Sequence, residues 1–294
     1  MKNWKHPPLD PAIAKYVDAY WYLEKSDTDG GYDQPKLNPS PDAHLILTPP
    51  EQPYQYSLNE AEKIGSGSHL LLPNTGSVKL HHSDPFVIVG IKFQVGALYS
   101  LAQTANLPLL DEVIDPCPFL PLPKPSLIRL AADATSADGI NAVRAALDDW
   151  LRPLLSAVHE DKHSQLTQTS LALLEHAEAA ELSQQLHCSR RTIERSFLRV
   201  TGLTLKQYCT MRKLDRLLFY LYRHQDSPPN WSDIAAQFDF SDQPHLIRYL
   251  KTAILTTPGE YLKQRDLTIV SGGLIARING ELPRSEAGHC GPFG

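Results

Sequence analysis

The sequence has few cysteines, no long apolar run and no strong excess of charge of either sign. Its four cysteines, Cys117, Cys188, Cys209 and Cys290, lie far apart and form no CxxC pair. This spacing argues against a disulfide framework or a cysteine zinc site and favours reduced thiols. No stretch approaches the roughly 20 apolar residues that span a bilayer, so we expect no membrane partner. The polar, proline-bearing residues 1–8 do not resemble a secretory signal, and a cytoplasmic location is expected.

Motifs of catalysis and metal binding are also scarce. The sequence has no GxSxG and no glycine-rich phosphate loop. The alternative of a metal site in a histidine-bearing barrel rests on His44, His69, His81 and His82. Adjacent histidines on a strand point to opposite faces, and no HxH or carboxylate spacing joins the four. We therefore expect no enzyme, no cofactor and no metal site.

The net charge of −5 is unevenly distributed along the chain. Residues 1–159 carry −6, residues 160–265 carry +2 and residues 266–294 carry −1. Because the basic segment is only weakly basic, its non-specific attraction to phosphate should be modest. Any argument for nucleic-acid binding therefore depends on where its arginines lie.

The length of 294 residues predicts two domains, because single cores rarely grow beyond about 250–300 residues. Residues 1–137 are expected to form an α+β domain of short strands, with a barrel-like arrangement as one form. The predicted strands are Tyr16–Leu23, His44–Thr48, His69–Leu72, Ser77–His81 and Phe86–Phe93. Short helices are predicted over Ala97–Thr104 and Pro108–Glu112. Residues 115–125 contain five prolines and should be irregular.

Residues 138–160 are expected to form a helix that links the two domains. Its apolar stripe has helical spacing and consists of Ile140, Val143, Leu147, Trp150, Leu151, Leu154, Leu155 and Val158. The stripe has two open interpretations, packing on its own domain or pairing with a second copy. Pro153 is expected to kink or divide the helix. The tail, residues 266–294, could form a strand pair over Leu267–Val270 and Leu274–Ile278, with a disordered end.

Residues 161–265 show a helical pattern throughout, and a first helix-turn-helix pattern lies near its start. A short helix over Ala180–Leu186 is followed by a turn at His187 and Cys188. Ser189 is placed to cap the next helix, which begins at Arg190. Its apolar residues share one face, and its polar residues face elsewhere. An amphipathic helix after such a turn has the geometry of a recognition helix.

The same pattern returns after a long helix from Leu205 to about His224. Ser232 is expected to cap a helix over Asp233–Phe238, and Asp239 and Phe240 form the turn. Either Ser241 or Asp242 caps the helix Gln243–Lys251, and Thr257 caps a closing helix. The sequence therefore predicts an all-α domain with two helix-turn-helix units.

Two strings, ELSQQLHCSRRTIERSFLRVTGLTLKQY and DIAAQFDFSDQPHLIRYLKTAILTTPGEY, resemble the DNA-binding domain of AraC/XylS regulators. The resemblance implies a bacterial, sequence-specific transcription regulator that binds double-stranded DNA, with RNA polymerase and a second copy as further partners. This family usually has Gly at Asp239, an aromatic at Leu250 and a Gly near Leu255. The second unit is therefore expected to read DNA less strictly than the first.

The N-terminal strings YVDAYWYLEK, SPDAHLIL and GIKFQVGALYSL resemble an uncharacterised domain found in one subgroup of these regulators. In the broader family this position holds a sensing or dimerising domain. Control by a small-molecule effector bound there is the leading hypothesis. Control by abundance or by a protein partner, without an effector, is the alternative.

The resemblance also implies roles for individual residues. Arg191, Thr192, Glu194 and Arg195 would meet base edges in a major groove. Arginine suits guanine O6 and N7, and Glu194 could accept from cytosine N4. Comparable positions in the second unit are Gln243, His245 and Arg248. The expected phosphate contacts, which position the protein without specifying sequence, are Arg190, Arg199 and Lys251.

Overall fold

The computed structural model describes residues 2–27, 36–58, 61–81, 85–101, 110–224, 228–255 and 257–264. The chain divides into two compact units. The N-terminal unit holds residues 1–36, 42–74 and 78–160. The C-terminal unit holds the remainder, which is mainly the chain from residue 161 onward. The predicted 138–160 segment clusters with the N-terminal unit.

Strands dominate the N-terminal unit and form two sheets. The first sheet has the order β1-β2-β9-β4-β7-β10, and the second has the order β3-β8-β5-β6. The strands are β1 Lys2–His6, β2 Val17–Lys25, β3 Lys36–Leu37, β4 His44–Leu47, β5 Pro53–Leu58, β6 Ala61–Ser66, β7 His69–Leu71, β8 Val78–Leu80, β9 Phe86–Phe93 and β10 Val113–Ile114. All five predicted strands are present within about two residues of their expected bounds.

The helices of the N-terminal unit are fewer. They are α1 Pro11–Ala14, α2 Ala97–Leu101, α3 Ser126–Asp133 and α4 Ala137–Leu155. The helix predicted over Pro108–Glu112 is wrong for residues 110–112, since this stretch is a bend in which Asp111 has a φ of 55°. Three predicted segments lie outside the described residues: residues 108–109, the end of the helix predicted to reach Thr104, and the whole tail 266–294.

One face of the six-stranded sheet packs against α3 and α4. Alternate residues of the central strands, such as Tyr20 in β2 and Ile91 in β9, are fully buried in this core. Strand side chains alternate between faces, so this period of two places every second residue inside. From α4, the side chains of Val143, Leu147 and Leu151 enter the same core and are at most 1% exposed. The centre of the apolar stripe of α4 is therefore buried within its own unit, and the other stripe residues are half-buried against the same core.

Pro153 lies inside α4, and the helix continues past it to Leu155. The expected division of the helix at this proline does not occur. Asp148 of α4 is buried, and its carboxylate accepts the Tyr20 hydroxyl at 2.7 Å and the backbone N–H groups of Leu9 and Asp10 at 3.0 and 2.8 Å. These bonds hold the chain before α1 against α4, so this buried charge is fully partnered.

The C-terminal unit is helical in the parts that the structure describes. Its helices are α5 Lys162–Leu173, α6 Leu182–Gln185, α7 Arg190–Thr201, α8 Leu205–Arg223, α9 Trp231–Gln237, α10 Gln243–Ile254 and α11 Pro258–Gln264. The predicted α+β domain followed by an all-α domain with two helix-turn-helix units is confirmed. Across the described ranges, no helix is both long and apolar enough to cross a membrane.

The long helix α8 contacts both helix-turn-helix units. Near its start, the ring of Tyr208 meets Phe197 of α7 edge-on, with ring centroids 5.4 Å apart. From its middle onward, Leu214 and Leu218 share a buried cluster with Leu246 of α10. Because one continuous helix packs on both units, it fixes the separation of their second helices.

Candidate nucleic-acid interface

The helix α7 has one buried and one exposed face. Ser189 caps it, with its Oγ accepting the N–H of Thr192 at 3.2 Å, as predicted. Ile193 and Phe197 are 2% and 0% exposed and anchor the inner face. Arg191 and Arg195 are exposed on the other face. The geometry expected of a recognition helix is present.

The helix α10 is capped by Asp242, whose Oδ1 accepts the N–H of His245 at 2.7 Å. Of the two caps left open by the sequence, Asp242 is the one used. The inward residues of α10, Leu246 and Leu250, are fully buried. Pro244 lies in the first turn of the helix, where its missing N–H costs nothing.

Counting from their caps, the two helices place equivalent residues at equivalent positions. The third residue after the cap is Thr192 in α7 and His245 in α10. The sixth is Arg195 in α7 and Arg248 in α10, and both are exposed. The fourth and eighth residues are the inward anchors in both helices. The two units therefore present the same polar face, with an arginine at its centre.

The arginines of this face differ in their contacts. Within the described ranges, the guanidinium groups of Arg191, Arg195 and Arg248 have no hydrogen-bond or ion-pair partner. The structure instead pairs two residues to which the sequence gave separate roles, since Arg190 Nε donates to Glu194 Oε1 at 2.9 Å. An exposed pair of this spacing contributes only about 0.3–0.5 kcal/mol, so DNA could separate it at little cost.

Two candidate residues of the second unit contact the chain before α10, one at Ser232 of α9 and one at Ser241 of the turn. Gln243 Oε1 accepts a hydrogen bond from Ser232 Oγ at 3.4 Å. His245 Nδ1 lies 3.1 Å from Ser241 Oγ, and its ring meets Phe240 edge-on. The two candidate phosphate contacts near the helix ends, Arg199 and Lys251, lie in the last turns of α7 and α10 and are exposed.

Four left-handed residues, one of them a glycine, shape the ends of these elements. His187 follows α6 with a φ of 49°, and Asp239 follows α9 with a φ of 52°. Asp239, where the resembling family usually has Gly, thus takes a conformation that glycine favours, and nothing in the sequence marked His187 except its equivalent place in the turn. Leu255 ends α10 with a φ of 52°. Gly202 ends α7 with a φ of 74°.

Several residues that position the two helices were not recognised from the sequence. The Tyr249 hydroxyl of α10 donates to the backbone carbonyl of Thr210 in α8 at 2.7 Å. His163 Nδ1 of α5 lies 2.9 Å from Ser196 Oγ of α7. The cap of α9 is Asn230, not Ser232 as predicted, because the helix begins two residues earlier than expected. The Tyr249 and His163 contacts bind each candidate recognition helix to a neighbouring helix.

Comparison with known proteins agrees with this geometry. Residues 182–264 match a family model described as a helix-turn-helix domain. No curated protein matches the chain. Among solved structures, one crystal form of ToxT from Vibrio cholerae is 11% identical to the chain, with a TM-score of 0.46. The match covers 90% of this chain and 98% of the ToxT chain.

Two further ToxT structures from Vibrio cholerae are similar to the chain. An apo variant is 10% identical with a TM-score of 0.48, covering 85% of this chain and 98% of its own. A form bound to an unsaturated fatty acid is 11% identical with a TM-score of 0.43, and the match covers 88% of this chain and 98% of the ToxT chain. Because these identities are low, the assignment rests on the family match.

The matched segment and its two capped helices define a DNA-binding helix-turn-helix domain. This domain is of the AraC type, a class of helix-turn-helix domain found in DNA-binding transcription regulators. Across the described residues, no group of three or more His, Cys, Asp or Glu is placed to hold a metal ion. His82 lies outside the described residues.

Proposed function

We propose that the protein reads a specific DNA sequence by placing α7 and α10 in successive stretches of major groove. The observation that carries this proposal is the matched polar face, in which Arg195 and Arg248 each occupy the sixth position after a helix cap. Because α8 packs on both units, the two faces have a fixed spacing. Helix-turn-helix proteins contact half-sites about one helical turn, or about 10 bp, apart.

In this proposal the exposed residues divide into two classes. Arg191, Thr192, Glu194 and Arg195 contact bases from α7, and Gln243, His245 and Arg248 do so from α10. Arg190, Arg199 and Lys251 contact phosphates. The unpartnered guanidinium groups of Arg191, Arg195 and Arg248 support their assignment, since each can give both donors to guanine O6 and N7.

Regulation by a small-molecule effector in the N-terminal unit is part of the proposal. A cavity of about 160 Å³ in that unit, to which both sheets contribute, supports it. Control by abundance or a protein partner is the alternative. The protein would act in the cytoplasm without enzymatic activity, alone or as a homodimer, and in contact with RNA polymerase. Because Val143, Leu147 and Leu151 are buried in their own unit, a homodimer would use the half-buried part of the α4 stripe or another surface.

Selection of binding sites from a random duplex library by the full chain tests the DNA-reading proposal. We expect two enriched elements, separated by about one helical turn. The selected duplex should bind at least ~10³-fold more tightly than a random duplex at physiological salt. If no sequence were enriched, and all duplexes bound with the same salt-sensitive affinity, the proposal would be overturned.

A further inference from the structure

The exposed face of α7 carries one large apolar side chain among its polar residues. Leu198 is 48% exposed and is the ninth residue after the cap Ser189. It follows Arg191 by seven residues and Arg195 by three, so these three side chains lie on one side of the helix. Leu198 therefore belongs to the same stripe as the two arginines that are proposed to contact bases.

This stripe has the spacing of a DNA-reading helix. Its members occupy positions i, i+3, i+4 and i+7 of α7, and they are Arg191, Glu194, Arg195 and Leu198. The recognition helix of homeodomains contacts the major groove through four residues with the same spacing. From Arg191 to Leu198 the helix rises roughly 10 Å, the length of about three base-pair steps. A helix lying along the groove thus brings Leu198 to a base edge beyond the one that Arg195 contacts.

The equivalent position of the second unit has a different chemistry. Lys251 is the ninth residue after the cap Asp242 of α10, and it is exposed. Its ammonium group can pair with a phosphate, whereas the side chain of Leu198 has neither charge nor hydrogen-bonding atoms. The ninth position is therefore suited to the DNA backbone in α10 and to an apolar group in α7.

Leu198 has no exposed apolar neighbour on its own helix. The residues one turn away are Glu194 and Arg195 on one side and Thr201 and Gly202 on the other. The first two are charged and exposed, Thr201 is buried, and Gly202 has no side chain. Protein interfaces use contiguous apolar patches of several hundred Å². A single leucine between charged residues suits a partner group as small as one methyl.

We propose that Leu198 determines specificity by contacting the C5 methyl group of a thymine in the major groove. Thymine displays this methyl group there, and apolar side chains recognise it. Because Leu198 lies roughly 4.5 Å further along the helix axis than Arg195, the thymine lies about one or two base pairs from the base that Arg195 contacts. This inference rests on the proposed placement of α7 in the major groove.

Replacement of thymine by deoxyuridine in the selected duplex tests this contact, since deoxyuridine lacks only the methyl group. Each thymine in the element read by α7 is replaced in turn, and fluorescence anisotropy measures the affinity of the full chain. One replacement, within about two base pairs of the position that Arg195→Ala relaxes, should weaken binding about four-fold. This is the effect expected for one methyl group that is buried on binding.

Variants of Leu198 show whether this side chain carries the preference for thymine. Leu198→Ala removes the contact at an exposed helical position that alanine favours, and it should bind the thymine and deoxyuridine duplexes equally. Leu198→Met keeps the apolar reach and should retain the preference. The matched control is Leu130→Ala, because Leu130 is a 40% exposed leucine on helix α3 of the other unit. It should keep the full four-fold preference.

The outcomes separate this inference from the proposed function. The inference would be overturned if no replacement in that interval weakened the wild-type protein, or if Leu198→Ala kept the preference for thymine. Equal weakening of both duplexes by Leu198→Ala, with the preference intact, would assign the leucine a structural role. Unchanged affinity of Leu198→Ala for the selected duplex would assign it to a protein partner, against the inference. A library without any enriched sequence would instead count against the DNA-reading proposal.

Discussion

At the scale of single residues, the second helix-turn-helix unit has backbone strain at the end of its second helix that the first unit avoids. The first unit ends its second helix with Gly202, whereas the second ends it with Leu255 at a φ of 52°. For a residue with a Cβ, this conformation costs roughly 1–2 kcal/mol. Leu255 is 62% exposed, so little burial offsets the strain.

Replacing Leu255 with glycine should therefore stabilise the C-terminal unit. Relief of strain exceeds the added flexibility of glycine in the unfolded chain, and we expect a gain of about 0.5–1 kcal/mol. Urea unfolding followed by circular dichroism measures it. Leu255→Ala keeps the Cβ and should give no gain. Equal stabilisation by both variants would show that the leucine side chain, and not the backbone conformation, is unfavourable.

His69 predicts a pH dependence of stability in the N-terminal unit. Its folded pKa is about 4, against 6.5 as its ordinary value, because burial disfavours the charged ring. Between these two values the unfolded chain binds a proton that the folded chain does not. The free energy of unfolding should thus fall as the pH drops from 6.5 to 4, by about 3 kcal/mol from this residue.

Thermal unfolding across this pH range checks the contribution of His69. In His69→Gln, whose amide can still accept from Tyr56, the decline should be shallower. His44, whose pKa burial also lowers to about 4, keeps part of the slope in the variant. A variant with the slope of the wild-type protein would mean that His69 does not titrate differently in the two states.

At the scale of elements, the sequence predicts best those that carry their own local signals. The helices α7, α8 and α11 have a capping side chain and apolar residues at helical spacing, and each was predicted within a residue or so. By contrast, β1 and β6 were missed. The burial pattern of β6 alternates between exposed and half-buried, and no apolar residue of this strand is buried. Its pairing with β5 depends on the sheet and leaves little trace in hydrophobicity.

The polar face of α7 and the cavity of the N-terminal unit also differ in how much local signal the sequence carries for them. The polar face of α7 lies in one continuous stretch of sequence, so spacing and family resemblance could name its residues. The cavity joins Thr48, His69 and Phe86, which are distant in sequence and meet only through strand pairing. The pairing of Arg190 with Glu194 was also missed, although their spacing of four residues on a helix is the available signal.

The two helix-turn-helix units should contribute unequally to sequence recognition. In the second unit, Leu255 is strained, Gln243 contacts Ser232 of α9, and His245 contacts Ser241 of the turn. Site selection should give one sharp element of about 5–6 bp and a looser one about a helical turn away. Selection with Arg195→Ala should flatten the sharp element, and selection with Arg248→Ala the loose one. Two equally sharp elements would show that the second unit reads just as strictly.

At the scale of the whole molecule, the apolar stripe of α4 has two interpretations: it packs in the core of its own unit, or it pairs with a second copy of the chain. Leu147 is fully buried in the core of the N-terminal unit. Leu147→Glu should thus place an unpaired carboxyl in that core and destabilise the unit by several kcal/mol. Near-ultraviolet circular dichroism and light scattering follow folding and mass together.

The exposed neighbour Ala145 provides the control, since Ala145→Glu on the same helix should leave both readouts unchanged. If Leu147→Glu instead remained folded and turned a dimeric protein into a monomer, the stripe would be a dimer interface in solution.

The central claim, that the outer face of α7 reads bases, is tested most directly by the affinity of Arg195→Ala for two duplexes. Fluorescence anisotropy of the full chain compares the selected duplex with a random one across a salt series. Loss of a bidentate base contact should cost about 1–3 kcal/mol on the selected duplex and leave binding to the random duplex nearly unchanged. Arg199→Ala, a proposed phosphate contact, should weaken both duplexes equally and reduce the salt dependence. Equal weakening of both duplexes by Arg195→Ala would contradict the account, because Arg195 would then contact only the DNA backbone.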